Sequence, residues 1–345
     1  MPHNLSHSFL FLFTVFSPPN SNLNKKDGKT MKKNIFTIIY MLLLTGFTVY
    51  VLLDTFVIPR VITVASTGNY SNICSETGSD NDSQSDYEES VYSSVPDSDG
   101  DSENYVTEEA SVSPEITIQT YREYDTTIYV ADITIGSPDM LKTAFANGTY
   151  GKNIKDETSA IAESVGAILA INGDFYGSRE TGYCIRNGVL YRSAPDIDAE
   201  DLVIYTDGSF EIIKESEKSA EQLLESGAWQ VLSFGPALIE DGEIAVSEDD
   251  EVGKAMASNP RTAICYMGEN HYLFIVSDGR TDESEGLSLY ELACFAKSLG
   301  AETVYNLDGG GSSTMYYNGE VINTPVSGKR SNGERSVSDI VYICY

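Results

Sequence analysis

Four Asn-Gly or Asp-Gly dipeptides, at 187–188, 207–208, 241–242 and 318–319, fall between short runs of β-branched and aromatic residues. Two-residue hairpin turns of the I′ type need positive backbone φ, which Asn, Asp and Gly tolerate, so each dipeptide predicts a tight turn between paired strands. The flanks agree: Cys184-Ile-Arg precedes Val189-Leu-Tyr-Arg, Leu202-Val-Ile-Tyr precedes Phe210-Glu-Ile-Ile, Ala237-Leu-Ile precedes Glu243-Ile-Ala-Val, and Thr314-Met-Tyr-Tyr precedes Glu320-Val-Ile. Helical signals are fewer. Ser288-Leu-Tyr-Glu291 is a capping box for a helix running to Leu299 with Gly300 as its stop, and residues 157–164 and 217–226 predict two more, ended by Gly166 and Gly227. The expected fold class is α+β: a single domain over residues 115–345, mostly antiparallel sheet with a few covering helices.

Residues 34–53 carry no charge, and that length crosses a hydrocarbon layer of ~30 Å as a helix. Lys25, Lys26, Lys29, Lys32 and Lys33 precede the segment, whereas only Arg60 follows before Arg122. The positive-inside bias therefore predicts a single-pass signal anchor at 34–58 in the cell membrane, with a cytoplasmic N-terminus and an extracytoplasmic remainder. A cleaved signal peptide would have a shorter apolar region ending in small residues, but this one continues into Asp54-Thr-Phe-Val-Ile-Pro-Arg60. Met31-Lys-Lys reads as a natural start, so residues 1–30 are either an over-extended start or part of a short cytoplasmic tail, 1–33. Residues 66–114 contain no Lys or Arg and are rich in Ser, Asp and Glu, which predicts a solvated, self-repelling linker over 59–114. Within it Asp97-Ser-Asp-Gly-Asp101 superficially resembles a calcium loop without meeting the full spacing.

With 52 acidic against 22 basic residues, the net charge of −30 repels a polyanion and argues against nucleic acid as a partner. Histidine is scarce: only His3, His7 and His271 occur, so neither H-E-x-x-H nor a three-histidine zinc site can be built. A Ser-His-Asp triad would have to use His271, which precedes the apolar run 272–276 and reads as a strand-edge residue. Cys74, Cys184, Cys265, Cys294 and Cys344 form no C-x-x-C pair. They read as buried small apolar groups, with one disulfide among the last four left open. Chemistry here should run on carboxylates, arginines and backbone amides, with no cofactor expected and only an oxygen-ligated calcium compatible with the composition.

Three polar clusters follow apolar runs: Asn172-Gly-Asp-Phe-Tyr-Gly177, Ser277-Asp-Gly-Arg280 and Asn306-Leu-Asp-Gly-Gly-Gly-Ser-Ser313. Three consecutive glycines uncover backbone N–H groups that can nest an anionic oxygen, or they make a flexible hairpin loop. The run is neither a P-loop nor a G-x-S-x-G elbow. Taken in order with Phe234-Gly-Pro-Ala-Leu238, Asn259-Pro-Arg-Thr-Ala263 and Glu334-Arg-Ser-Val-Ser-Asp339, these six motifs resemble the phosphodiester glycosidase family over roughly residues 120–345.

The resemblance implies hydrolysis at the anomeric carbon of a sugar 1-phosphodiester, on cell-surface or exopolysaccharide glycan phosphates. Such a reaction needs an anion site for phosphate and carboxylates for proton transfer and oxocarbenium stabilisation. Arg261 is the first choice for the phosphate clamp, because guanidinium matches phosphate oxygens in a bidentate fork. Arg186 and Arg335 stand behind it. Asn172, Thr262, Asn306, the amides of Gly309, Gly310 and Gly311, and the hydroxyls of Ser312 and Ser313 would complete the cradle. Asp174 and Asp308 are the expected working carboxylates and Asp278 the third; their separation would decide between retention and inversion. A phosphate leaves readily, so a strong general acid is dispensable. Each choice has a plainer rival: Asp174 or Asp278 as a turn cap, Arg335 paired to Glu334 or Asp339, Asn172 and Asn306 as loop staples, Phe175 and Tyr176 as core. Two other functions compete: a non-catalytic glycan-binding or biosynthesis-accessory module, and a phosphodiesterase or phosphotransferase attacking phosphorus.

Overall fold

A computed structural model describes residues 28–62, 113–250, 258–327 and 333–345. Residues 1–27, most of the acidic linker with its Asp97–Asp101 run, and Cys74 lie outside them. The chain divides into two compact units, Met1–Ile58 and Pro59–Tyr345. The first contains one helix, Gly28–Phe56. Its stretch Ile35–Phe56 is long and apolar enough to cross a membrane, and its side chains are not buried in the protein.

The second unit is built on three larger sheets in which every strand pair is antiparallel. The large sheet has seven strands in the spatial order Glu243–Ile244, Ala237–Glu240, Thr303–Asn306, Thr262–Gly268, His271–Ser277, Thr126–Thr134, Glu115–Glu123. A second sheet orders Phe210–Lys214, Glu200–Tyr205, Ala228–Leu232, Cys184–Arg186 and Val189–Arg192. The third orders Glu320–Val321, Met315–Tyr317, Leu169–Asn172, Asp339–Ile343 and Leu141–Phe145. Arg60–Val61, at the start of the segment read as linker, pairs with Gly151–Lys152.

One core joins all three sheets, with Ile133, Ile264, Phe274, Leu202, Leu232, Ile171 and Val341 packed together. On the other face of the large sheet, Ala263, Cys265, Leu273 and Ile275 pack against Leu289, Leu292, Ala293 and Ala296 of the helix Leu289–Ser298. Being covered on both faces explains why residues 272–276 read as an unbroken apolar run rather than an alternating one. Two smaller helices, Thr158–Ser164 and Ala220–Glu225, cover the third and second sheets.

All four predicted hairpins form. Three place Asn or Asp, and then Gly, at positive φ: Asn187-Gly188, Asp241-Gly242 and Asn318-Gly319. Asp207-Gly208 differs. Only Gly208 is at positive φ, Phe210 pairs with Ile204, and Tyr205 N–H donates to the Ser209 carbonyl, so this connection is a longer loop. The helix expected at 217–226 begins later, because Ser219 caps it, accepting from Gln222 N. Among the described residues, Cys184, Cys265, Cys294 and Cys344 form no disulfide. His271 opens its strand with Nε2 2.8 Å from Asp132 Oδ1.

Candidate active site

The site follows from strand register. Thr262 pairs with Val276, and Ala263 pairs with Asn306. The entry to strand Thr262–Gly268 therefore lies beside the exits of His271–Ser277 and Thr303–Asn306, which brings the Asn259-Pro-Arg, Ser277-Asp-Gly-Arg and Asn306-Leu-Asp-Gly-Gly-Gly segments to one edge. Backbone bonds stitch them: Gly310 N–H donates to the Pro260 carbonyl at 2.7 Å, Leu307 N–H to Thr262 and Ser277 N–H to Arg261, both at 2.9 Å. A cavity of about 150 Å³ opens there, lined by Phe234, Asn259, Arg261, Arg280, Asn306, Leu307, Asp308, Gly309, Gly310 and Arg335. It gathers three arginines around the one carboxylate in its wall, Asp308.

Asp308 is fixed on one side. Its Oδ2 accepts from Arg335 Nη2 at 2.8 Å and from Ser312 Oγ at 2.6 Å, and Arg335 Nε also donates to Ser312 Oγ at 2.8 Å. Arg261 is buried; its Nε donates to the Leu287 carbonyl at 2.8 Å and its amide to Ser277 Oγ at 2.9 Å. Arg280 is exposed and leans on Asn259, with Nη2 2.7 Å and Nε 3.1 Å from Oδ1. Asn306 donates from Nδ2 to the Gly235 carbonyl at 2.8 Å, while its buried Oδ1 has no partner. A buried acceptor left in this way invites a hydroxyl or N–H donor from a ligand. Lys155 lies within reach of the same field. Burial and the charge of Arg335 hold its ammonium below the ordinary lysine pKa, against the opposing pull of Asp308.

The glycines serve close approach more than a nest. Gly310 sits at φ +62°, and a Cβ there would lie 2.8 Å from Arg280 Nη2; a Cβ on Gly309 would lie 2.9 Å from the Pro260 carbonyl oxygen. The amides of Ser312 and Ser313 close a 3₁₀ turn onto Gly309 and Gly310. Together with the Gly310 amide, they are turned inward rather than toward the cavity.

The other residues chosen from the sequence take different places. Asn172 is a staple: Nδ2 donates to the Asp308 carbonyl at 2.6 Å, and Oδ1 accepts from Thr262 Oγ1 at 2.8 Å and from Thr314 N–H. It ties the third sheet to the site loops and, like Thr262, is fully buried. Asp174 does not line the cavity. Its Oδ1 accepts from Tyr176 N–H at 2.8 Å, and its Oδ2 from Arg186 Nη2 at 2.7 Å and Ser233 N–H at 3.0 Å. Arg186 is equally buried and also holds Asp339 Oδ2, from Nε at 3.0 Å and Nη2 at 2.8 Å. This Asp174–Arg186–Asp339 group is a buried internal ion cluster outside the lining of the Asp308 cavity. Asp278 likewise faces away, accepting from Thr324 N–H at 2.8 Å, and burial raises its pKa. Ser313 is buried with its Oγ unpartnered. Arg280 and Asn259 also line this cavity; both lie inside motifs already singled out, though neither was chosen from the sequence.

The model of the phosphodiester glycosidase family matches residues 165–344, just over half of the chain. The chain belongs to the phosphodiester glycosidase family. It is 27% identical over 238 residues to an uncharacterized SPbeta prophage-derived protein of Bacillus subtilis, covering 65% of this chain and 36% of that one. It is 28% identical over 200 residues to the mouse N-acetylglucosamine-1-phosphodiester alpha-N-acetylglucosaminidase, covering 53% and 38%. The chain thus spans little more than a third of the length of these relatives. Among solved structures it resembles the pro-peptide-inhibited catalytic domain of the zebrafish N-acetylglucosamine-1-phosphodiester alpha-N-acetylglucosaminidase, with a TM-score of 0.54 at 20% identity, over 69% of this chain and 85% of that one. A hypothetical protein from Synechocystis gives 0.53 at 15% identity over 67% and 62%. These likenesses establish the fold.

Proposed function

We propose that this chain hydrolyses a glycosyl 1-phosphodiester at the anomeric carbon, with the scissile phosphate held by Arg261, Arg280 and Arg335 and with Asp308 as the working carboxylate. The observation that carries this reading is the convergence of three arginines on Asp308 in one cavity. Guanidinium groups lining one cavity neutralise a phosphate and so favour its departure as an anion. With phosphate leaving, no second carboxylic acid is required to protonate it, which suits a cavity whose wall holds one carboxylate. Asp308 then either meets the developing oxocarbenium carbon or takes the proton of an attacking water. Asn306 Oδ1, an acceptor, suits a sugar hydroxyl or amide N–H and would repel phosphate oxygens. Asn172 and Thr262 act through Asp308 and its loop, as positioning residues.

The helix Ile35–Phe56 serves in this reading as a signal anchor that places the domain outside the cell membrane, where glycan phosphates of the surface are the accessible substrates. Release of reducing sugar from an α-N-acetylglucosamine 1-phosphodiester tests the activity, and running it in ¹⁸O-labelled water tests the bond. Label in the sugar supports cleavage at carbon; label in phosphate would overturn it in favour of attack at phosphorus.

A further inference from the structure

A second cavity, of about 330 Å³, lies beside Arg60–Val61 and is lined by Arg60, Tyr150, Lys152, Tyr176, Arg179 and Arg192, with Glu180 as the one acid in its wall. Lys152 Nζ meets Glu180 at 2.6 Å, so the lining keeps a surplus of positive charge in a protein whose net charge is −30. Arg192 is pinned from behind, Nη1 donating to the carbonyls of Tyr176 at 2.9 Å and Arg179 at 3.0 Å. Its Nη2 is buried and has no hydrogen-bond partner, and neither has the buried hydroxyl of Tyr176. Two buried donors without an acceptor are costly unless a ligand supplies one, and an anionic oxygen is the acceptor that an arginine favours most.

This cavity adjoins the Asp308 site by way of a third cavity that shares wall residues with each. Arg179 and Glu180 also line a cavity of about 580 Å³ with Asp196, Asp198 and Glu200, whose far wall is Phe234. Phe234 in turn lines the Asp308 cavity. Three adjoining cavities thus place arginines at either end, with carboxylates suited to sugar hydroxyls between them. The alternation matches a polymer in which sugar and phosphate alternate.

We propose that the Arg192 cavity is a second phosphate subsite, so that the substrate is a glycan with repeated phosphodiesters, one cleaved beside Asp308 while its neighbour is held by Arg60, Arg179 and Arg192. The proposal rests on the phosphodiester reading of the Asp308 site. Two probes separate the two: methyl α-N-acetylglucosaminyl phosphodiester, with one phosphate, and a two-repeat oligomer of the same unit, with two. Binding is measured by titration calorimetry on the full chain in detergent micelles, with Asp308→Asn present throughout so that neither probe is consumed.

The two-phosphate probe should bind roughly tenfold tighter or more, because the second contact forms within one molecule. Arg192→Gln and, independently, Arg60→Gln should each remove that gap and leave the affinity for the one-phosphate probe unchanged. Equal affinities for the two probes, equal weakening of both by Arg192→Gln and Arg60→Gln, or no binding of either would each overturn the proposal. A gap that depends on Arg192, found alongside a wild-type chain that cleaves neither probe, would uphold this subsite while removing the hydrolase reading.

Discussion

Arg335 reaches Asp308 across 27 positions of sequence, its Nη2 2.8 Å from the carboxylate Oδ2. The pair fixes the carboxylate's orientation, and the guanidinium, partly exposed, still faces the cavity. Arg335→Gln should therefore lower kcat/KM by about a hundredfold, with Arg335→Lys recovering part of it, since a point charge replaces the fork but loses its geometry. Asp308→Asn should lose about a thousandfold or more in kcat with the fold intact. Steady-state kinetics beside thermal melting checks both, and a variant that keeps wild-type kcat would remove Asp308 from the reaction.

Arg280 and Arg261 stand on the same cavity in opposite settings. Arg280 is exposed and anchored through Asn259, so Arg280→Ala should raise KM several-fold while stability stays within about 0.5 kcal/mol. Arg261 is buried against the Leu287 carbonyl. Its removal opens space and takes one of two donors from that carbonyl, the Asn259 N–H at 3.2 Å remaining, so Arg261→Ala should lower kcat/KM and also cost about 2 kcal/mol of stability. Urea unfolding next to kinetics distinguishes the two patterns.

How much of this was legible is clearest residue by residue. The hairpins were readable because Asn-Gly and Asp-Gly encode their own φ angles. The hairpin joining Glu115–Glu123 to Thr126–Thr134 was not, because Tyr124 and Asp125 adopt positive φ there without a glycine. Asp308 could be picked out because its motif concentrates polar groups after a strand, and Arg261 because its guanidinium suits phosphate; both line the one cavity. Asp174 was drawn from an equally polar cluster and Arg186 from the end of a hairpin strand, yet both turn inward. Which side of a loop a charge faces depends on a partner far away in sequence, here Asp339, and local pattern carries no information about it.

The ion cluster gives a test of that distinction. Arg186→Met would leave Asp174 and Asp339 facing each other in the interior, and breaking a buried pair in this way costs about 3–5 kcal/mol. The variant should therefore melt at a markedly lower temperature than the parent. Adding Asp174→Asn and Asp339→Asn should restore much of the loss, because no unpaired charge then remains. Circular dichroism on the single and triple variants reads this directly. If Arg186→Met folds normally but loses only substrate affinity, Arg186 belongs with the phosphate site after all.

Asp201 sets a pH dependence that is separate from catalysis. It is fully buried, and burial together with the charge of nearby Glu215 pushes its pKa up to about 9. In the unfolded chain an aspartate titrates near ~3.9. Between these values the native state holds a proton that the unfolded state has released, so stability falls as pH rises, by at most about 1.4 kcal/mol per pH unit. Asp339 adds a slope of the same sign, since burial and Asp174 raise its pKa to about 7 against the pull of Arg186. From pH 7 to 9 Asp201 adds its slope to those of Asp339 at the lower end and the buried thiols Cys184 and Cys265 at the upper end, so the comparison with a variant assigns it. Asp201→Asn keeps the neutral shape at every pH, so it should flatten the decline there and be more stable than the wild type at pH 8.5. Urea midpoints of both proteins across that interval decide the matter: parallel slopes would show that the proton is held elsewhere.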